Sequence, residues 1–215
     1  MARWLFAGFA AVSLVVLFAW WPSPIRVSVV DNEEPVRVAD LLGEETEGFK
    51  RALTPRPFAF PADHGAHPEY RHEWWYVTGN LETPSGRPYG YQFTLFRFAL
   101  TPEPPQRSTA WAAQSVYLGH LAVTDIEAMR FHTRQKLSRG GALGLAGASV
   151  EPVIIWLEDW QIQGKEATHW PLRIQAQTND LGIDITLHPE KPVVLQGDRG
   201  LSRKGPQPGN ASYYY

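Results

Sequence analysis

Alternating apolar and polar positions dominate the middle of the chain, most clearly between residues 72 and 100. Two aromatic runs in this segment flank a short polar connection, Thr-Pro-Ser-Gly, at 83–86. Proline and glycine between two such runs are typical of a β-hairpin. Side chains alternate faces along a strand, so Trp75 and Val77 share one face and Trp74 lies on the other. Because both faces carry large apolar groups, we expect both to be covered.

Further alternating segments follow at short spacing and predict an all-β fold. They are 111–124, 129–137, 153–163, 170–177, 183–187 and 192–197. Together with the hairpin they give about eight strands, the number of a lipocalin-like, up-and-down antiparallel β-barrel. In 153–163 we expect an inward face made of Ile154, Trp156, Trp160 and Ile162, with both tryptophans filling the barrel. The glycine-rich stretch 140–147 predicts a flexible loop that covers a cavity.

The beginning of the chain is apolar without alternation. Residues 4–21 contain no charge and follow Met1-Ala2-Arg3. A helix of this length spans roughly 27 Å, close to the thickness of a bilayer core. A positive start before an apolar stretch is typical of a secretion signal, and tryptophans at its end favour the membrane interface. We expect residues 1–24 to form a signal anchor, a transmembrane helix, with a cleaved signal peptide as the alternative.

The composition shifts along the rest of the chain suggest a domain organisation. Residues 25–57 are rich in acidic groups and poor in aromatics, so we expect a linker. We place the β-barrel at 58–197, and at 198–215 a charged, glycine-rich linker followed by an aromatic strand. That last strand either opens a second barrel or pairs with an edge of the first.

Composition and charge exclude several classes of function. Glycine and proline number 18 each and aromatics make up 13% of the 215 residues, which favours short strands and turns. The formal charge is −2 with no basic block, which argues against nucleic acid as a partner. Because the chain has no cysteine, disulfides and thiolate metal sites are excluded.

Three motifs carry a resemblance to a known family. They are the run 60–79, which contains His72-Glu73-Trp74-Trp75-Tyr76, the segment 89–97, and the end of the chain at 209–215. These motifs resemble the bacterial lipocalin-like carotenoid 1,2-hydratases (hydroxyneurosporene synthases), a family that also includes secreted AttH-like proteins, often labelled hydrolases. The resemblance covers 57–215 and implies a pair of β-barrels, of which this chain holds the first and the opening strand of the second. It also implies that the hydratase acid lies in the second barrel, so no catalytic residue is carried over.

The residues themselves offer weak candidates for hydration of an alkene. Such a reaction needs a carboxylic acid that stays protonated in an apolar pocket, a base that guides water, and aromatic faces near the carbocation. Glu73 and Asp63 are the candidate acids and His72 is the candidate base. The candidate ligand-binding aromatics are Trp74, Trp75, Tyr76, Tyr89 and Tyr91. The alternative is that Glu73 and His72 make structural bonds with Arg71 or Arg97.

Metal and nucleophile motifs do not match. The spacing of His64, His67, His72 and Glu73 is irregular, and Tyr76 stands where a helical zinc-protease motif needs its second histidine. No Gly-x-Ser-x-Gly elbow occurs. We therefore expect no metal and no cofactor.

Three functions remain as hypotheses. The first is a cell-envelope protein on the periplasmic side of the inner membrane, anchored or secreted. In this role it binds an elongated apolar molecule, such as a lipid or carotenoid, or acts as an accessory to an envelope transporter. The second is a cofactor-independent carotenoid 1,2-hydratase-like enzyme, incomplete in this chain. The third is a structural interaction domain without a cavity.

Overall fold

The computed structural model describes residues 28–30, 47–103, 113–141, 143–165 and 170–215. In these ranges the chain forms β-strands and one short 3-10 turn, Ala62–His64. The strands are β1 (Ser28–Val30), β2 (His72–Glu82), β3 (Pro88–Ala99), β4 (Ser115–Asp125), β5 (Arg130–Gly140), β6 (Ala146–Val150), β7 (Val153–Leu157), β8 (Trp160–Gly164), β9 (Leu172–Gln177), β10 (Gly182–Leu187), β11 (Leu201–Arg203) and β12 (Ala211–Tyr213). The all-β prediction is confirmed.

The strands β2 to β10 follow one another in a single curled sheet, and β1 pairs in parallel with β5. Sequential neighbours pair antiparallel except β5 and β6, which share one parallel pair, Gly140 with Ala146. The sheet bends there, so that β7 packs over β3, β4 and β5. Among the described residues no ladder joins the edge strands β2 and β10. The predicted closed eight-stranded barrel is therefore corrected to a nine-stranded half-barrel.

The opening hairpin forms as predicted. Trp75 pairs with Leu95 and Val77 with Phe93, and the turn is closed by a bond from Gly86 N–H to the Thr83 carbonyl at 2.9 Å. The sequence predicts that both faces of the hairpin are covered. This holds for β3 from Phe93 to Ala99, but it is wrong for β2, where Tyr76 is 43% exposed. The physical reason is that β2 is an edge strand.

The core lies between the long strands β3 and β4 and the short strands β6 to β9. Phe93, Leu95 and Leu121 meet Ile155 and the fully buried ring of Trp160 there. Gly119 on β4 allows this close approach, since a β-carbon at that position would lie 2.8 Å from Leu157 Cδ2 and 2.9 Å from Trp160 Cε3. The two halves of the sheet are thus held together by side-chain packing.

The predicted strand 153–163 is in fact two strands. β7 ends at Leu157 and β8 begins at Trp160, and Glu158 in the two-residue turn between them has a φ of 57°. A positive φ at such a turn is normally provided by glycine or asparagine, so the residues Glu158 and Asp159 do not predict a turn. The turn reverses the faces: Val153, Ile155, Leu157 and Trp160 are buried, whereas Ile154 and Trp156 lie on the outer side. The inward assignment of Ile154 and Trp156 is wrong.

Several other expectations change. Residues 192–197 are exposed and form no strand, and residues 143–145 are a short connection that does not line the cleft described below. β12 pairs with β11 rather than with an edge of the large sheet. The predicted membrane segment at 1–24 lies outside the described residues. In the part of the chain that is described, no helix is long and apolar enough to cross a membrane.

Candidate functional site

A cleft of about 1370 Å³ opens where the two edges of the half-barrel face each other. Its inner wall is apolar and includes Trp75, Val77, Ile155 and Ile162. Its outer wall consists of the segment 188–194 and the C-terminal hairpin, which we define as residues 201–215. The lining resembles that of small-molecule sites, which are mostly apolar, and the volume exceeds their common range of about 300–1,000 Å³.

A network of charged side chains forms the floor of the cleft. Asp63 comes from the 3-10 turn, Glu73 from the start of β2, and His67 lies in the loop between them. His67 Nε2 lies 3.0 Å from Asp63 Oδ1, and His67 Nδ1 lies 2.6 Å from Glu73 Oε1. Gly65 lets the loop approach β6, because a β-carbon there would lie 2.5 Å from Val150 Cγ2.

Two arginines complete this network. Arg56 donates to Asp63, whose second carboxylate oxygen accepts from the backbone N–H of Ala59. Arg97 Nε donates to Glu73 Oε2 at 3.1 Å, and its Nη2 donates to the carbonyls of His67 and Tyr70 at 2.8 and 2.9 Å. Arg97 is only 5% exposed. It therefore fixes the loop to β2 and β3 through buried, charge-assisted bonds.

The electrostatics follow from these contacts. The hydrogen bond to Glu73 raises the pKa of His67, and the charges of Glu73 and Asp63 add to this against the effect of burial. Burial by itself would raise the pKa of Asp63, but the bonds from Arg56, Ala59 and His67 outweigh it and lower that pKa. The imidazole is thus held as a cation between two carboxylates.

This arrangement is poorly suited to acid catalysis at carbon. A carboxyl group that protonates an alkene must carry a proton, and Asp63 is held in the ionised form. Glu73 uses both oxygens to accept bonds from His67 and Arg97. Both ring nitrogens of His67 are also occupied by carboxylates. The network positions the loop and supplies charge, which fits the structural alternative for Glu73.

Aromatic rings of the C-terminal hairpin close the cleft above this network. The hydroxyl of Tyr215 donates to the carbonyl of Asp63 at 2.7 Å and lies 2.9 Å from His64 Nδ1. The hydroxyl of Tyr213 donates to the carbonyl of Thr54 at 2.7 Å. Phe58 packs edge-on against both tyrosine rings, with centroids 6.2 Å from Tyr213 and 5.6 Å from Tyr215. These bonds attach the hairpin directly to the loop that carries Asp63.

The structure brings together only part of the predicted site. Asp63 and Glu73 join through His67, but His72 points to the other face of β2 and packs against Phe98 with a centroid distance of 5.7 Å. Burial and the charges of Arg71 and Arg97 lower the pKa of His72. His72 therefore does not act on the same groups as the two carboxylates.

The predicted aromatics also divide into two groups. Trp74, Trp75 and Tyr76 line the cleft, and Trp75 Nε1 donates to the carbonyl of His64 at 3.0 Å. Tyr89 and Tyr91 are not among its lining residues. Tyr91 instead covers Gly79, and Tyr89 stacks beneath Arg87. Alternation along β2 places Trp74 and Trp75 on opposite faces, and both reach the cleft because β2 is an edge.

Several site residues were not identified from the sequence. Arg56, Tyr213 and Tyr215 were missed, and His67 was considered only as a metal ligand. The run of tyrosines at the end of the chain was the available signal, but its target on the loop at 58–64 is distant in sequence. Within the described residues, no group of three or more histidine, aspartate or glutamate side chains is placed to hold a metal ion.

Comparison with known proteins identifies a family and a similar solved structure. A family model described as AttH-like matches residues 51–215. A crystal structure of a candidate AttH protein from Nitrosomonas europaea is 34% identical in sequence and superimposes with a TM-score of 0.65. The alignment covers 77% of this chain and 48% of that chain. The chain thus spans about half the length of that protein. No curated protein matches the chain. Since the family model matches residues 51–215, well over half of the 215-residue chain, the chain belongs to the AttH-like family.

Proposed function

We propose that this AttH-like chain binds an elongated apolar molecule in the cleft between the half-barrel edges. The observation that carries the proposal is the cleft itself, which is about 1370 Å³ and has an aromatic and aliphatic inner wall. Burying apolar ligand surface against such a wall is favourable by about 25 cal/mol per Å². We do not propose hydratase activity, because the carboxylates of Asp63 and Glu73 already accept hydrogen bonds from Arg56, His67 and Arg97.

The proposed location is the periplasmic side of the inner membrane. The apolar stretch at 4–21 supports this location, either as an anchor or as a cleaved leader. A protein held there would meet lipids and other apolar molecules as they leave the membrane, either alone or as an accessory to an envelope transporter.

Titration with the apolar dye Nile red tests the proposed binding. We expect saturable binding with one site per chain, and at least about tenfold weaker binding for Leu187→Glu, because a carboxylate would be buried against the ligand. Leu187 is half-buried and lines the cleft. Leu137→Glu is the matched control, since Leu137 is 44% exposed on β5 and does not line the cleft.

Two outcomes would contradict the proposal. Binding that never saturates would show adsorption rather than a site, and equal weakening by both substitutions would place the dye elsewhere. A separate incubation with the carotenoid lycopene distinguishes binding from catalysis. Recovery of unchanged lycopene supports a binding protein, and recovery of a hydrated product would identify an enzyme instead.

A further inference from the structure

The charged residues around the cleft differ in sign from those of the whole chain. Six basic side chains line the cleft: Lys50, Arg51, Arg56, Arg71, Lys191 and Lys204. Only three carboxylates line it: Asp63, Glu73 and Glu190. The complete chain contains 20 lysine and arginine residues against 22 aspartate and glutamate residues. Positive charge is therefore concentrated at the cleft.

Of these six cations, the floor network pairs with Arg56, and Lys50 pairs with Glu69, which does not line the cleft, at 3.5 Å. Asp63 is paired with Arg56 and His67, and Glu73 with His67 and Arg97. Both floor carboxylates are thus neutralised by groups of their own network. Their charge does not offset the cations at the mouth of the cleft.

Two of the remaining cations lie on the C-terminal hairpin side of the cleft: Arg51 contacts the hairpin, and Lys204 belongs to it. Arg51 Nη2 donates to the carbonyl of Pro208 at 3.1 Å, and the backbone N–H of Lys204 donates to the carbonyl of Asn210 at 2.8 Å. Lys204 Nζ lies 3.1 Å from Ser202 Oγ and 5.6 Å from the centre of the Tyr214 ring. Among the described residues, neither Arg51 nor Lys204 forms an ion pair with a carboxylate. They are cations held by neutral groups beside an apolar cleft.

We infer that the ligand is a single-chain amphiphile with an anionic carboxylate head, of the fatty-acid class. This inference rests on the proposed function and specifies its ligand. The alkyl chain lies along the apolar wall formed by Trp75, Val77 and Ile155. The head group lies at the mouth, where Arg51 and Lys204 provide N–H donors. Arginine and lysine bind carboxylates through charge-assisted hydrogen bonds, and a cleft with charge of one sign raises the local concentration of the opposite ion.

The test compares three ligands with the same alkyl chain: palmitate, palmityl alcohol and palmityl amine. The change in tryptophan fluorescence of the full chain reports binding, because Trp74, Trp75 and Trp170 line the cleft. We expect palmitate to bind at least about tenfold more tightly than the alcohol, and the amine to bind most weakly, since a bond to a charged group exceeds one to a neutral group. Added salt should weaken palmitate binding and leave alcohol binding unchanged.

Variants assign the effect to the two cations. The double variant Arg51→Gln/Lys204→Gln should lose the preference for palmitate over the alcohol while binding the alcohol as before. Arg203→Gln is the matched control, because Arg203 belongs to the same hairpin but does not line the cleft. If the double variant unfolds, the salt titration of the unmodified chain still decides the outcome.

The results separate this inference from the proposed function. Equal affinity for the three ligands, or tightest binding of the amine, would overturn the anionic head group while leaving apolar binding intact. Failure of all three ligands to bind would overturn both. A preference for palmitate that survives in the double variant would overturn the roles of Arg51 and Lys204.

Discussion

His67 and Glu73 are joined twice: the ring Nδ1 of His67 lies 2.6 Å from Glu73 Oε1, and the backbone N–H of His67 donates to Oε2 at 3.0 Å. The side chain and the main chain of one loop residue are therefore held by a single carboxylate. Arg97 Nε donates to the same Oε2, and Arg97 Nη2 donates to the carbonyl of His67. The loop that carries Asp63 is thus fixed to the sheet by charge and not by regular secondary structure.

We predict that Glu73→Gln destabilises the fold by about 3 kcal/mol, because it leaves the buried guanidinium of Arg97 without its anion and the imidazolium of His67 with Asp63 alone. Urea unfolding measures this. Asp184→Asn, which breaks an exposed ion pair with Arg173, is the control and should change stability little. A loss for Glu73→Gln no larger than that of the control would show that the network is not a stabilising unit.

We predict that the stabilisation due to His67 disappears at alkaline pH. Its pKa is raised in the folded state, mainly by the bond to Glu73. Its contribution is therefore complete below the ordinary histidine pKa of about 6.5 and is lost as the pH rises through the higher folded value. The difference in unfolding free energy between the unmodified chain and His67→Asn should shrink over that range.

His120 provides a control of opposite sign for this experiment. Burial lowers its pKa, so its contribution is complete above about pH 6.5 and is lost as the pH falls through the lower folded value. The difference in unfolding free energy between the unmodified chain and His120→Asn should therefore shrink as the pH falls below about 6.5. Parallel pH profiles for the two variants would contradict both assignments.

We predict that Gly119→Ala costs about 1–3 kcal/mol, because its methyl group would overlap Leu157 and Trp160 where the two halves of the sheet meet. Gly90→Ala is the matched control. A β-carbon at Gly90 would have its nearest neighbour, Thr124 Cβ, at 3.7 Å, an ordinary contact. Thermal melting of both variants measures the difference, and equal melting temperatures would contradict the packing across the bend.

We predict that Tyr215→Phe lowers stability by about 1 kcal/mol, because it removes the hydroxyl bonded to the Asp63 carbonyl while keeping the ring contacts. Tyr214→Phe is the control, since its ring contact is with Lys204. Limited proteolysis should also cut the C-terminal hairpin of Tyr215→Phe faster. Identical digestion of the two variants would show that the bond to Asp63 does not hold the hairpin.

We predict that Trp160→Ala costs about 3–5 kcal/mol, as expected for a fully buried aromatic ring. Trp74→Ala should cost less, because Trp74 is only half-buried on an edge strand. Urea unfolding measures the loss of stability in each of the two variants. A larger loss at Trp74 would mean that the outer face of β2 is more strongly packed than its exposure indicates.

The sequence predicted those features that depend on local alternation. The β2–β3 hairpin and the strand within 170–177 follow from period-two patterns and were correct. The turn at Glu158 was missed, because nothing in a Glu-Asp pair signals a positive φ. The prediction of a closed barrel was wrong, because closure depends on curvature and register, which side-chain alternation does not specify.

The candidate site was harder to predict for the same reason. The sequence offered Arg71 or Arg97 as a structural partner of Glu73, and the structure selects Arg97, which faces Glu73 across neighbouring strands. Tyr215 and Asp63 are 152 residues apart, and their contact depends on how the C-terminal hairpin returns across the cleft. A single sequence contains no signal for a contact at that separation.

The absence of a ladder between β2 and β10 affects how a ligand could enter the cleft. Separating two described strands that share no ladder breaks none of the bonds in the sheet, whereas parting two neighbours in a closed barrel would break a whole row of them. Under the proposed function, an elongated ligand would therefore enter broadside along the gap instead of threading through one end. Its rate of exchange would then depend on the side chains that bridge the gap, and not on unfolding of the sheet.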